Sequence, residues 1–135
     1  MGIQWSEGMM IGHPVLDAEH ATIIEKINDF EALIVCSSEK TDLSRLYGDI
    51  VECLSEHFIR EEQIMMSARY HDAEKHTAAH GELFNKLSHM TLLIENSDPH
   101  VESVILDFLH KWFFGHVMTL DKAFVDFLAP SALAL

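Results

Sequence analysis

Ten histidines in 135 residues is a high count, and several of them recur with carboxylates at helical spacing. His57 and Glu61 are four apart, as are His76 and His80, so in a helix each pair projects from one face. His20 stands between Leu16 and Ile24, and His116 precedes Asp121 by five residues. One imidazole on an apolar stripe is ordinarily a satisfied core residue. Five imidazoles and two carboxylates on such stripes are not, because burying unpaired charged groups costs several kcal/mol each. Neutral imidazoles packed with ionised carboxylates are what a metal centre requires. The set holds no cysteine, which argues against thiolate zinc or iron–sulfur chemistry. Seven donors exceed one tetrahedral zinc. They suit two octahedral ions sharing bridging carboxylates, with iron the natural choice for imidazole plus carboxylate. No HExxH occurs, and only Asp17-x-x-His20 comes near the Glu-x-x-His of ferritin-like sites. The other histidines, His13, His71, His89, His100 and His110, are assigned to solvent.

The elements that must position these groups are helices. Apolar periodicity of 3.6 marks four segments: 17–36, 42–66, 72–95 and 99–128. Their stripes run Leu16, His20, Ile23, Ile24, Ile27; then Leu43, Tyr47, Ile50, Leu54, His57, Glu61; then His76, His80, Leu83, Phe84, Leu87; then Ile105, Leu109, Phe113, His116, Phe124. Ser37–Asp42 offers N-caps for the second helix, Asp72 for the third, and Asn96-Ser97-Asp98-Pro99 for the fourth. Short joints force neighbours antiparallel. The expected fold is all-α: an up-down-up-down four-helix bundle over 17–128, with an N-terminal arm over 1–16 and a tail over 129–135. On an ideal helix His116 and Asp121 lie about 140° apart and flank the inward arc from two sides.

Nine Lys and Arg against 22 Asp and Glu leave a net charge of −13. That excludes an electrostatic grip on nucleic acid or on an anionic membrane. No run approaches the ~20 apolar residues of a membrane span, and Met1–Gly12 lacks the features of a secretion signal. Cys36 and Cys53 fit no paired motif and read as reduced thiols of a cytoplasmic protein. Met1-Gly2-Ile3-Gln4-Trp5-Ser6 formally fits an N-myristoylation pattern but is read as part of the arm.

Four stretches, in order, resemble the hemerythrin family, in particular its bacterial hemerythrin-like members. They are Leu16-Asp17-Ala18-Glu19-His20, the run from His57 to Met65, His76-Thr77-Ala78-Ala79-His80, and Trp112-Phe113-Phe114-Gly115-His116 followed by Asp121-Lys122. The likeness runs from Trp5 to the end of the fourth segment. It implies a four-helix bundle around two non-heme irons with an oxo or hydroxo bridge, binding dioxygen. His76, His80 and His116 would hold one iron, His20 and His57 the other, and Glu61 and Asp121 would bridge them. The iron with two histidines would keep a position open for dioxygen. The chain departs from the family at Glu19, where Gln is frequent, at His71, where Pro is common, and at Phe113-Phe114, where smaller aliphatics are usual.

By ideal helix phase, Phe113, Phe114, Val117 and Phe124 are expected to line the oxygen pocket. The function that follows is reversible dioxygen binding, for storage or transport or as the oxygen- or redox-sensing part of a larger signalling protein. In that second case the partner is a fused or separate output domain. The alternatives are a di-iron redox enzyme acting on peroxide or nitric oxide, and an iron-storage bundle. Against an enzyme stands the lack of any further acid, base or thiol at the site. Seven donors, a closed and stoichiometric set, stand against storage. The apolar tail Ala129–Leu135, with Pro130 as a breaker, reads as a frayed end or the edge of a longer protein.

Overall fold

In a computed structural model, which describes residues 10–36, 39–95 and 101–133, the chain is helical almost throughout. Helix α1 spans Pro14–Val35, α2 Lys40–Ser67, α3 Ala73–Glu95 and α4 Val101–His116. A π-helical segment, Val117–Asp121, joins α4 to α5, Lys122–Leu133, so the last three form one rod. Four rods joined by short connections make the expected bundle. Helix α2 packs on α1 and α3, and α4 closes the circle against α1 and α3.

The core follows most of the stripes read above and also takes in Phe30, which they did not include. Leu16, Ile23, Ile24, Ile27 and Phe30 from α1 meet Tyr47, Ile50, Leu54 and Met65 from α2, Leu83 and Leu87 from α3, and Leu109, Phe113 and Phe124 from the fourth rod. Tyr47 is wholly buried and donates its hydroxyl to the Leu87 carbonyl at 2.7 Å, which removes the cost of an unpaired phenol. Phe84 departs from its stripe: it is 40% exposed, at the rim of the α2–α3 groove.

Helix ends differ from expectation in detail. Helix α1 begins at Pro14, a residue preorganised for a first turn, and His13 caps it by accepting the Leu16 N–H at Nδ1. His13 is therefore a capping residue, half-buried, and not a solvated one. Behind it, Asp17 is buried and accepts the N–H groups of Ile11 at 2.8 Å and Gly12 at 3.2 Å. That fixes the arm as it enters the bundle, with Gly12 at φ +100°, a region only glycine enters freely. The Asp72 carbonyl receives the first helical bond of α3, from the His76 N–H at 3.0 Å. Helix α5 continues past residue 128 through Pro130 to Leu133, so the proline does not end it. The caps anticipated at Ser37-Ser38 and Asn96–Pro99, the pattern at Met1–Ser6, and His100 lie outside the described residues.

Candidate metal centre

All seven predicted donors are buried, and they meet in the middle of the bundle. His20 comes from α1, His57 and Glu61 from α2, His76 and His80 from α3. His116 ends α4, and Asp121 ends the π segment. Their donor atoms form two groups: Glu61, His76, His80, His116 and Asp121 in one, and His20, His57, Glu61 and Asp121 in the other. Glu61 and Asp121 belong to both.

The π segment explains how His116 and Asp121 come together. Its wider turn places residues five apart above one another. The His116 Nε2 and Asp121 Oδ1 therefore stand 3.0 Å apart, side by side, instead of flanking the arc from two sides. The same extra residue retards the phase of everything after it by about 100°. Phe114, aligned with Asp121 on an ideal helix, consequently lies about 120° from it, and it is 50% exposed. Phe114 is thus not a lining residue. Phe113 and Val117 are buried, with the Phe113 ring edge-on to His20 at 5.6 Å between centroids. Phe124 is buried against Tyr70, at 4.9 Å.

The inter-donor distances fit cations better than hydrogen bonds. His76 Nε2 lies 2.9 Å from both Glu61 Oε1 and Asp121 Oδ1, and His80 Nε2 lies 3.1 Å from Glu61 Oε1. The Nε2 atoms of His76 and His80 each lie 3.1 Å from that of His116, and His20 and His57 face each other likewise. Two donors about 2.1 Å from one ion at right angles would stand about 3.0 Å apart. Meanwhile both oxygens of Glu61 and both of Asp121 are buried with no hydrogen-bond partner, despite this proximity. The atoms converge on common points rather than on each other. Four orphaned carboxylate oxygens in a core would be costly without cations. The residues fit the metal.

The outer side of the rings reinforces this orientation. His57 Nδ1 is 2.9 Å from Glu19 Oε1, and His80 Nδ1 is 2.9 Å from Glu62 Oε2. A carboxylate there takes the Nδ1–H, so each Nε2 presents its lone pair inward. Arg60 in turn pairs with Glu19. Burial opposes ionisation of Glu19, but His57 and Arg60 outweigh it and hold its carboxyl below the usual range. Sequence reasoning passed over Glu19 and Glu62 as further acids near the site. The available signal was their adjacency to His20 and Glu61, one step along the helix and therefore turned outward. Aromatic rings complete the packing: Phe58 stacks on His80 at 4.1 Å and Trp112 on His116 at 4.9 Å.

Without cations, burial drives Asp121 and Glu61 toward protonation, but the surrounding imidazoles win. Asp121 lies well below its ordinary value because of His116, His20 and His76, and Glu61 is lowered by His76 and His80. Burial likewise disfavours charge on His76, yet Asp121 and Glu61 push it up to about 9. Of the remaining histidines, His71 and His89 are exposed as expected. His110 is not solvated: it is half-buried, and its Nε2 is enclosed without a partner.

Bundle and donor cage together define a helical metal-binding protein with a paired histidine–carboxylate centre. The family model described as the hemerythrin HHE cation binding domain matches residues 12–128, and the chain belongs to that family. It is 24% identical to a bacteriohemerythrin of Stenotrophomonas maltophilia over 122 residues, covering 90% of this chain and 78% of the relative. A myohemerythrin of Sipunculus nudus is 24% identical over 117 residues, covering 87% and 86%. A bacteriohemerythrin of Pseudomonas aeruginosa strain LESB58 is 24% identical over 122 residues, covering 90% and 78%. No helix among the described residues is long and apolar enough to cross a membrane.

Proposed function

We propose that the chain binds dioxygen reversibly at a pair of iron ions. His76, His80 and His116 would hold one, His20 and His57 the other, with Glu61 and Asp121 shared. The observation that carries this reading is the presence of two donor groups with two carboxylates in common. A ferrous pair would supply the electrons that make dioxygen binding reversible. The protein's part is placement and exclusion. The His20–His57 group has one imidazole fewer, which leaves room for an external ligand. Phe113 lies against His20 on that side, and with Val117 and Phe124 it would form an apolar wall that withholds water and protons.

Binding is favoured over turnover by the direction of the nearby acids. Glu19 and Glu62 sit behind His57 and His80 at Nδ1, so neither offers an acid or base to the interior. We place the protein in the cytoplasm with its two cysteines reduced; both are unpaired in the fold. A sensing role, with a fused or separate output domain as partner, is supported by one feature. His116 and Asp121 bracket a π segment in a rod that continues to Leu133, so a change at the centre acts on that rod.

Metal analysis and optical spectra test the proposal. Protein produced with ample iron should hold two irons per chain. Its visible and near-ultraviolet absorption should cycle between air and anaerobic reduction. One zinc per chain with no iron uptake would refute it.

A further inference from the structure

Both halves of the centre carry a carboxylate behind one imidazole, but the two carboxylates are not equivalent. Glu62, behind His80, has no lysine or arginine within ion-pair distance among the described residues. Glu19, behind His57, carries the Arg60 guanidinium on its second oxygen. A carboxylate that accepts an imidazole N–H draws that proton and makes the opposite nitrogen a stronger donor. A guanidinium on the same carboxylate draws its charge the other way and weakens the effect.

We propose that Arg60, acting through Glu19, is a positioning residue that makes His57 a weaker donor than His80 and so sets the reduction potential of the two-histidine half above that of the three-histidine half. This deepens the di-iron reading and rests on it. The arrangement can be adjusted from outside. Arg60 is half exposed, and with Glu19, Thr22, Cys53, Glu56 and His57 it lines an open cleft of about 200 Å³ between α1 and α2. The guanidinium is therefore not a packing element, and changing it leaves the core untouched.

The test compares Arg60→Met, Arg60→Lys and Glu19→Gln in the iron-loaded protein by potentiometric titration. Loss of the guanidinium should lower the midpoint potential. Loss of the carboxylate charge should raise it, because glutamine still accepts the Nδ1–H but pulls on it less. Arg60→Lys should restore most of the parent value. A merely structural pair would lower the bound iron in both variants and leave the potential of the remaining centres unchanged, and that result overturns the proposal. A second readout does not need iron: the His57 Nδ1 proton resonance in zinc-loaded protein. It should move downfield in Arg60→Met and upfield in Glu19→Gln. If the parent binds zinc but not iron, the iron reading has failed, and the proton shifts decide the Arg60–Glu19–His57 relay by themselves. An unmoved resonance in both variants would also overturn it.

Discussion

Glu61 and Asp121 are enclosed on all sides, and each lacks a hydrogen bond at both oxygens. Their neighbours are imidazoles whose lone pairs point the same way, so each donor is needed to keep the others tolerable. Replacing His76 or Glu61 by alanine should therefore lower bound iron below one ion per chain, whereas His89→Ala, on the exposed face of α3, should leave it unchanged. Metal analysis after gel filtration reads this directly. Phe113 plays a different part at the same scale: it is 2% exposed and meets the His20 ring edge-on. Phe113→Ala should destabilise the fold by about 3–5 kcal/mol in denaturant melts. It should also shorten the lifetime of the oxygenated form in stopped-flow mixing, since an apolar wall supplies no proton. Phe114→Ala, at the surface, should do neither.

Two element-scale devices are open to test. The π segment holds His116 and Asp121 in line, at the expense of regular helical bonding over Val117–Asp121. Deleting Thr119, an exposed residue whose hydroxyl only bonds back to the Gly115 carbonyl, should restore α periodicity. The Asp121 carboxylate would then follow His116 by four positions, about 40° around a regular helix, and stay on the same face. Far-ultraviolet circular dichroism should stay helical and metal binding should be kept; loss of the metal would show that the pair needs the π turn itself and not only a shared helix face. At the end of α2, Arg69 sits at φ 55°, with the Tyr70 N–H bonded to the Met65 carbonyl and the Arg69 N–H to the Met66 carbonyl. This is the Schellman arrangement, and its left-handed position favours glycine. Arg69→Gly should raise stability by about 0.5–1 kcal/mol, because relief of left-handed strain exceeds the entropy glycine loses on folding.

For the whole molecule, the centre ties together all four rods, so metal and fold are one equilibrium. The chelated protein should melt well below the loaded one. It should also acquire a pH dependence that the loaded protein lacks. In the metal-free bundle His76 is pushed up to about 9, above its unfolded value near 6.5. A raised imidazole contributes stability that is complete below the unfolded value and is lost as pH rises through the folded one. Thermal melts of the metal-free protein should therefore fall between pH 6.5 and 9, while those of the loaded protein stay flat. A metal-free melting temperature that is unchanged across that window would place the compensating proton elsewhere.

Helical periodicity by itself determined the four rods, the stripes of Ile23, Leu54, Leu83 and Leu109, and the seven polar groups that interrupt them. Burial follows from spacing when a helix is regular, so a buried His57–Glu61 or His76–His80 pair is legible from type and interval alone. The family likeness added the division of those groups between two sites. Where the helix is not regular, the reading fails. One extra residue in the turn after His116 changed a 140° separation into a 3.0 Å approach and turned Asp121 away from Phe114, which stays on the exposed side of α4. Contacts between rods were equally hidden. Nothing in the spacing of Glu19, Arg60 or Glu62 states which imidazole lies behind each, because that depends on how α1, α2 and α3 are rotated against one another. The same holds for Asp17, whose buried carboxylate has no helical partner and instead takes the backbone of the arm. Local order along one helix is written in its own residues; the pairing of outward groups across helices exists only once the bundle has closed.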